Sequence, residues 1–203
     1  MDHDELQELS EHAIYRKEHV ELLNGNFVID CPVPKNILKN LPHNYEEFTH
    51  LKYTACTSKP ETFKEKNFIL RQTNYNRETK LLIMINMYDD NEILLSYTLD
   101  EIMENIAYLC SLNDSPWGND AWKKVVVCII SDGRNNINEH GLVYLTVLGV
   151  EQSKKEIDSS QWFFNAFCPV LVPKICVLID VGVKPGYESF YTLCNAFSVN
   201  HFG

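Results

Sequence analysis

The chain has 203 residues, 45% of them hydrophobic, which is enough to bury a real core and excludes a disordered protein. Its 18 Lys and Arg against 28 Asp and Glu leave a net charge of −10 and a pI near 5.1, so the basic surface that binds phosphate backbones is absent and nucleic acid is excluded as a partner. Seven cysteines, odd in number and without a C-x-x-C pair, exclude a zinc ribbon and read as buried, reduced thiols of a cytosolic protein.

The first six residues, MDHDEL, are acidic where a secretion signal would be basic and then apolar. No apolar run approaches bilayer length, so the chain alone reads as soluble and cytoplasmic, with no direct membrane span. Residues 1–24 form an acidic arm: Leu6, Leu9, Ala13, Ile14, Val20 and Leu23 make only an irregular stripe, as in a surface helix or a flexible segment. Residues 25–79 are broken by Pro32, Pro34, Pro42 and Pro60 into short strands, turns and a helical turn, and read as a lid or cover segment.

Regular patterning begins at residue 80 and defines a domain over 80–203. Leu81 to Met87 is a continuous apolar run, the signature of a strand buried on both faces. Leu95, Leu99, Ile102, Met103, Ile106 and Leu109 then recur at three- and four-residue spacing and predict an amphipathic helix. A second buried strand is expected over 125–130, a helix over 138–148, a third strand over 175–179 and a helix over 187–197. Strands alternating with helices predict an α/β fold with a mostly parallel sheet and flanking helices.

Each predicted strand runs into an acidic or amide-bearing turn: Tyr88-Asp89-Asp90-Asn91, Ser131-Asp132-Gly133 and Asp180-Val181-Gly182. Ligands of open parallel sheets sit outside the carboxyl ends of the strands, so the three turns should converge on one site. Carboxylates placed there suit a sugar nucleotide: they accept hydrogen bonds from base or ribose, and one, Asp180, is placed to hold a divalent metal. Turn formation alone would also favour Asp and Asn at these positions. No P-loop, G-x-G-x-x-G or G-x-S-x-G pattern is present, which disfavours P-loop hydrolysis, dinucleotide binding and the serine hydrolases. The histidines lack ligand spacing, Trp117 and Trp122 read as packing residues, and Arg71 and Arg134 suit either phosphate or a structural ion pair.

Blocks at 26–34 (NFVIDCPVP), 47–55 (EFTHLKYTA), 70–72 (LRQ), 117–128 (WGNDAWKKVVVC), 131–134 (SDGR), 162–167 (WFFNAF) and 180–182 (DVG) occur in the order in which similar blocks follow one another in fungal-type chitin synthases. The chain resembles that family from about Val20 to Phe197. The resemblance implies a partial, Rossmann-like GT-A glycosyltransferase domain. Its substrate would be UDP-N-acetylglucosamine, its cofactor Mg²⁺ or Mn²⁺, and its product the β-1,4-linked chitin of the cell wall, made at the plasma membrane.

By the same resemblance Tyr88, Asp90 and Asp132 contact the nucleotide and Asp180 holds the metal under the diphosphate. Asp90 stands where the family has a glutamate, one methylene longer, and Val183 where it usually has a threonine. Near Gln152 the family carries several dozen further residues, including a strand, and the chain stops at Gly203 ahead of the family's E-D-R and Q-R-R-R-W segments. No catalytic residue is therefore assigned within these 203 residues, and the expectation is a piece inactive by itself. The alternative is a non-catalytic paralogue that binds UDP-sugar or a full-length chitin synthase, with the 162–167 block as an exposed apolar patch.

Overall fold

The computed structural model describes residues 22–23, 26–33, 46–55, 59–68, 70–87, 92–113, 115–131 and 159–200. They divide into two compact units, 1–54 and 55–203, each described by itself. The arm and the predicted helix over 138–148 lie outside the described residues, apart from Leu22 and Leu23.

In the first unit, β1 (Leu22–Leu23) pairs antiparallel with the start of β2 (Asn26–Pro32), Leu22 opposite Phe27 and Leu23 opposite Asn26. On the other side of β2 runs β3 (His50–Ala55). The Val33 N–H donates to the Thr49 carbonyl at 2.9 Å. Leu22 and Leu23 are thus strand, where the sequence reading continues the helix or arm. Asn24-Gly25 between β1 and β2 is a dipeptide that favours a two-residue hairpin loop, and this local signal outweighs the irregular helical stripe.

The second unit is built on a parallel sheet. Its central strand is β4 (Leu81–Met87), flanked by β5 (Val125–Ser131) on one side and β6 (Ile175–Asp180) on the other. All seven residues of β4 pair with β5, from Leu81 opposite Val125 to Met87 opposite Ser131, and the run from Leu81 to Asn86 pairs with Ile175 to Asp180. The starts of the strands are tied as well: the Lys80 N–H donates to the Lys124 carbonyl at 2.8 Å and the Ile175 N–H to the Lys80 carbonyl at 3.0 Å.

Side chains of a strand alternate between faces, and β4 fills both. Leu81, Ile83, Ile85 and Met87 pack in one cluster with Leu95, Ile102, Ile106 and Leu109 of helix α2 (Glu92–Ser111) and with Phe190 and Cys194 of α4 (Ser189–Asn200); α1 is the single turn Arg71–Asn74. Leu82 and Met84 point the other way, onto Phe163 and Leu171 of α3, the helical stretch 159–171. Every β4 residue except Asn86 is buried, as the predominantly apolar run predicts. Each fully buried Leu or Ile of this layer is worth about 1.5–3 kcal/mol relative to exposure.

α3 departs from expectation. Its middle, Trp162–Phe167, is π-helical, and Phe163 and Ala166 are fully buried. Phe63 adds a second aromatic layer, stacked on Phe68 at 4.7 Å and meeting Phe167 edge-on at 5.6 Å. The 162–167 block is therefore largely a cover for the sheet's second face, and only Phe164, 47% exposed, keeps the character of a surface apolar residue. A continuous two-faced strand requires such a cover, because Leu82 and Met84 would otherwise face water. Trp117 is buried, as its packing role predicts, and Trp122 carries the Arg77 guanidinium 5.0 Å from its ring centroid.

Candidate functional site

Among the described strands the sheet order is β5-β4-β6: the first in sequence, β4, is central, with β5 on one side and β6 on the other. The chain passes from β4 to β5 on one side and then to β6 on the far side of β4, and the crevice outside the carboxyl ends where a strand order reverses in this way is a topological switch point, the place where open α/β sheets bind ligands. The register puts the three exits level: Asn86 sits opposite Ile130 on one side and opposite Asp180 on the other, and Met87 opposite Ser131. The chain therefore leaves β4, β5 and β6 along one edge of the sheet, and the acidic turns follow directly in sequence at each exit.

Of the site residues read from the sequence, Asp180 is described and Tyr88, Asp90 and Asp132 lie outside the described residues. Asp180 ends β6 with its side chain exposed. Its carbonyl accepts the Val183 N–H at 3.1 Å, closing a tight turn, and Gly182 within that turn has φ +91°. A positive φ at that place favours glycine, whose lack of Cβ removes the penalty other residues meet there.

This turn is fastened from behind by α2. The Gly182 N–H donates to Thr98 Oγ1 at 2.9 Å, and Thr98 has no solvent exposure. Close by in sequence, Lys184 Nζ lies 4.7 Å from the centroid of the Tyr97 ring, within cation–π range. Two turns further down α2, Asn105 Oδ1 accepts the Phe190 N–H at 3.2 Å, and Asn105 Nδ2 donates to the Glu101 carbonyl at 2.9 Å. Thr98 and Asn105 escape a sequence reading that counts apolar residues. Their signal is a pair of polar residues seven apart on the same face as Leu95, Ile102, Ile106 and Leu109.

A divalent ion fits this donor set in one way. Among the described residues no group of three His, Cys, Asp or Glu side chains stands close enough to form a protein cage. Mg²⁺ and similar ions at nucleotide sites are commonly held by one or two carboxylates, with substrate phosphates and water completing the shell. One exposed carboxylate, Asp180, on an immobilised turn at a switch point suits a metal that arrives with a diphosphate and does not suit a permanent structural ion.

Three parallel strands with helices packed on both faces make a partial α/β domain, and comparison with known sequences assigns it to the glycosyltransferases. The family described as "Chitin synthase N-terminal" matches residues 15–80, and "Chitin synthase-like glycosyltransferase domain" matches 81–154 and 150–202. The chain belongs to the chitin synthase family. It is 39% identical to "Chitin synthase 2" of Rhizopus oligosporus over 89% of its own length, and 38% identical to "Chitin synthase 3" of Verticillium dahliae over 90%. A similar relative, "Chitin synthase I" of Metarhizium acridum, is 37% identical over 90%.

The chain spans 27% of the length of each of these relatives. The alignment to the Rhizopus sequence runs over 235 positions, more than the 203 residues of the chain, so that relative carries residues with no counterpart here. The glycosyltransferase domain matches in two pieces that meet at 150–154, where the blocks read from the sequence also show a gap at Gln152.

Proposed function

We propose that this chain forms part of the UDP-N-acetylglucosamine site of a chitin synthase, serving β-1,4 transfer of N-acetylglucosamine to growing chitin in cell-wall synthesis at the plasma membrane. The observation that carries the reading is the level exit of β4, β5 and β6 at one switch point, with Asp180 on a turn fixed by Thr98. In this reading Tyr88, Asp90 and Asp132 receive the uridine, and Asp180 receives Mg²⁺ or Mn²⁺ bound to the diphosphate. The metal would neutralise charge that develops on the diphosphate as the sugar leaves, a type of stabilisation worth several kcal/mol in enzymes. The contribution of this chain's own residues is to bind and to orient: an exposed carboxylate whose backbone is locked loses little freedom when it takes its ligand.

The test is calorimetric titration of the purified chain with UDP, with and without Mn²⁺ or Mg²⁺, beside an Asp180→Asn variant. Metal-dependent binding that the variant loses supports the reading. A folded parent chain that does not bind UDP refutes it, and so does an Asp180→Asn variant that binds UDP and metal as well as the parent.

A further inference from the structure

The segment that joins β6 to α4 is exposed at Gly182, Val183, Lys184, Gly186, Tyr187 and Glu188, and its described hydrogen bonds to the rest of the sheet are few. Yet it is pinned at both ends by fully buried polar side chains of a single helix. Thr98, 0% exposed, takes the Gly182 N–H, and Asn105, 1% exposed, takes the Phe190 N–H. Seven residues are close to two turns of α-helix, so the two acceptors face the same way about 10 Å apart along the axis. A polar side chain on the core face of a helix costs desolvation unless it is satisfied: Thr98 accepts from the segment itself at Gly182, and Asn105 accepts from Phe190 in the first turn of α4, where the segment ends, while donating to the Glu101 carbonyl of its own helix.

We propose that Thr98, backed by Asn105, is a positioning residue for the diphosphate-bound metal: α2 acts as a two-point latch that sets the direction of Asp180 by holding the turn that follows it. This deepens, and rests on, the reading of Asp180 as the metal carboxylate. The latch joins α2 to the exit of β6, so the helix that follows the first strand fixes the turn that ends the last. Thr98 supplies an acceptor two residues beyond Asp180, and the turn closed by Val183 N–H on the Asp180 carbonyl transmits its position back to the carboxylate. Binding energy that would otherwise go into ordering the loop is then available to the ligand.

The experiment compares Thr98→Val, which keeps shape and removes the acceptor, with Thr98→Ser, which keeps the acceptor. Two quantities are read on the full chain: amide hydrogen exchange at Gly182, without ligand, and UDP affinity with and without Mn²⁺. Expected for Thr98→Val are faster exchange at Gly182 and a loss of about five- to tenfold in the Mn²⁺-dependent part of UDP affinity, the size of one hydrogen bond. Metal-free UDP affinity stays as in the parent, and Thr98→Ser restores both readouts.

A general weakening of the fold would lower metal-free and metal-dependent binding alike, and that outcome overturns the proposal. So does a Thr98→Val chain whose Mn²⁺-dependent affinity is unchanged while the parent binds. A parent chain with no Mn²⁺-dependent UDP binding instead refutes the role of Asp180, and with it the metal-positioning role of Thr98; rapid exchange at Gly182 in the parent would separately refute the latch.

Discussion

Asn105 Oδ1 and the backbone N–H of Phe190 meet at 3.2 Å across 85 positions of sequence, in a place with almost no solvent. The same side chain donates its amide to the Glu101 carbonyl, so neither polar end is idle. Asn105→Leu keeps the volume and removes the acceptor, leaving the first N–H groups of α4 with one partner fewer. Loss of stability of about 1–3 kcal/mol is expected, the usual cost of an unsatisfied buried donor, and it is measurable as a lower urea midpoint with unchanged slope. Asn105→Asp, which retains the acceptor, should differ from the leucine variant by giving back protection of the Phe190 amide in hydrogen exchange.

Val172 ends α3 in the left-handed region, φ 45° and ψ 55°, with its side chain 74% exposed. A β-branched residue is poorly suited to that conformation, and glycine is the common choice where a helix stops this way. Pro173 follows and prevents the helix from continuing. Val172→Gly relieves the backbone while making the unfolded chain more flexible, and the net is a gain of up to about 1 kcal/mol. A rise in melting temperature checks it; a fall would show that the valine methyls contribute packing that their exposure does not suggest.

What the sequence makes legible follows from how local the signal is. β4 is readable because six apolar residues out of seven, the first five in a row, can only satisfy a strand covered twice, and α2 because Leu95, Ile102, Ile106 and Leu109 return to one face. Asp180 is readable as a strand-end carboxylate. The side of β4 on which β6 lies is not readable, since that choice depends on the packing of helices distant in sequence, and the switch point therefore appears only in the fold. The π-helical turn at Trp162–Phe167 carries no local signature in the sequence. β1 is a different case: Asn24-Gly25 announces a hairpin, and a helical stripe read too far along the chain hides it.

Phe163 is fully buried between α3 and the second face of the sheet, beside Leu82, Met84 and Leu171. Truncation to alanine removes a whole ring from under a strand that is covered on both faces, and the π-helical backbone holds the cavity open. Phe163→Ala is expected to cost about 3–5 kcal/mol, and Phe163→Leu clearly less, in denaturant unfolding. Phe164→Ala next to it, on the exposed side, serves as the contrast and should change stability by about 0.5 kcal/mol or less. Equal losses at the two positions would mean that residue 164 is also covered in solution.

Among the described residues, three thiols weigh on the alkaline limit of the fold. Burial pushes Cys128 up to about 12 and Cys194 up to about 11 from an ordinary value of 9.0. Cys168 also stands at about 12, through burial and through Cys176, whose sulfur is 3.7 Å away. Below pH 9 folded and unfolded chains both hold these protons and stability is indifferent to them. Above pH 9 the unfolded chain releases them while the folded chain keeps them, so the folded state binds more protons and stability falls with rising pH until about 12. Lys80 acts in the opposite sense: burial lowers its value from 10.5, the unfolded chain then holds the extra proton, and stability gains as pH approaches that value. The Tyr108 phenol, raised from 10.0 by desolvation and by Glu188, acts in the same sense as the thiols, so among the described residues urea midpoints should be level from about pH 7 to 8.5 and decline from about pH 9 to 10.5. Cys128→Ala should flatten part of that decline, because an alanine at the same place has no proton to lose; a slope identical to the parent's would place the alkaline transition on other groups.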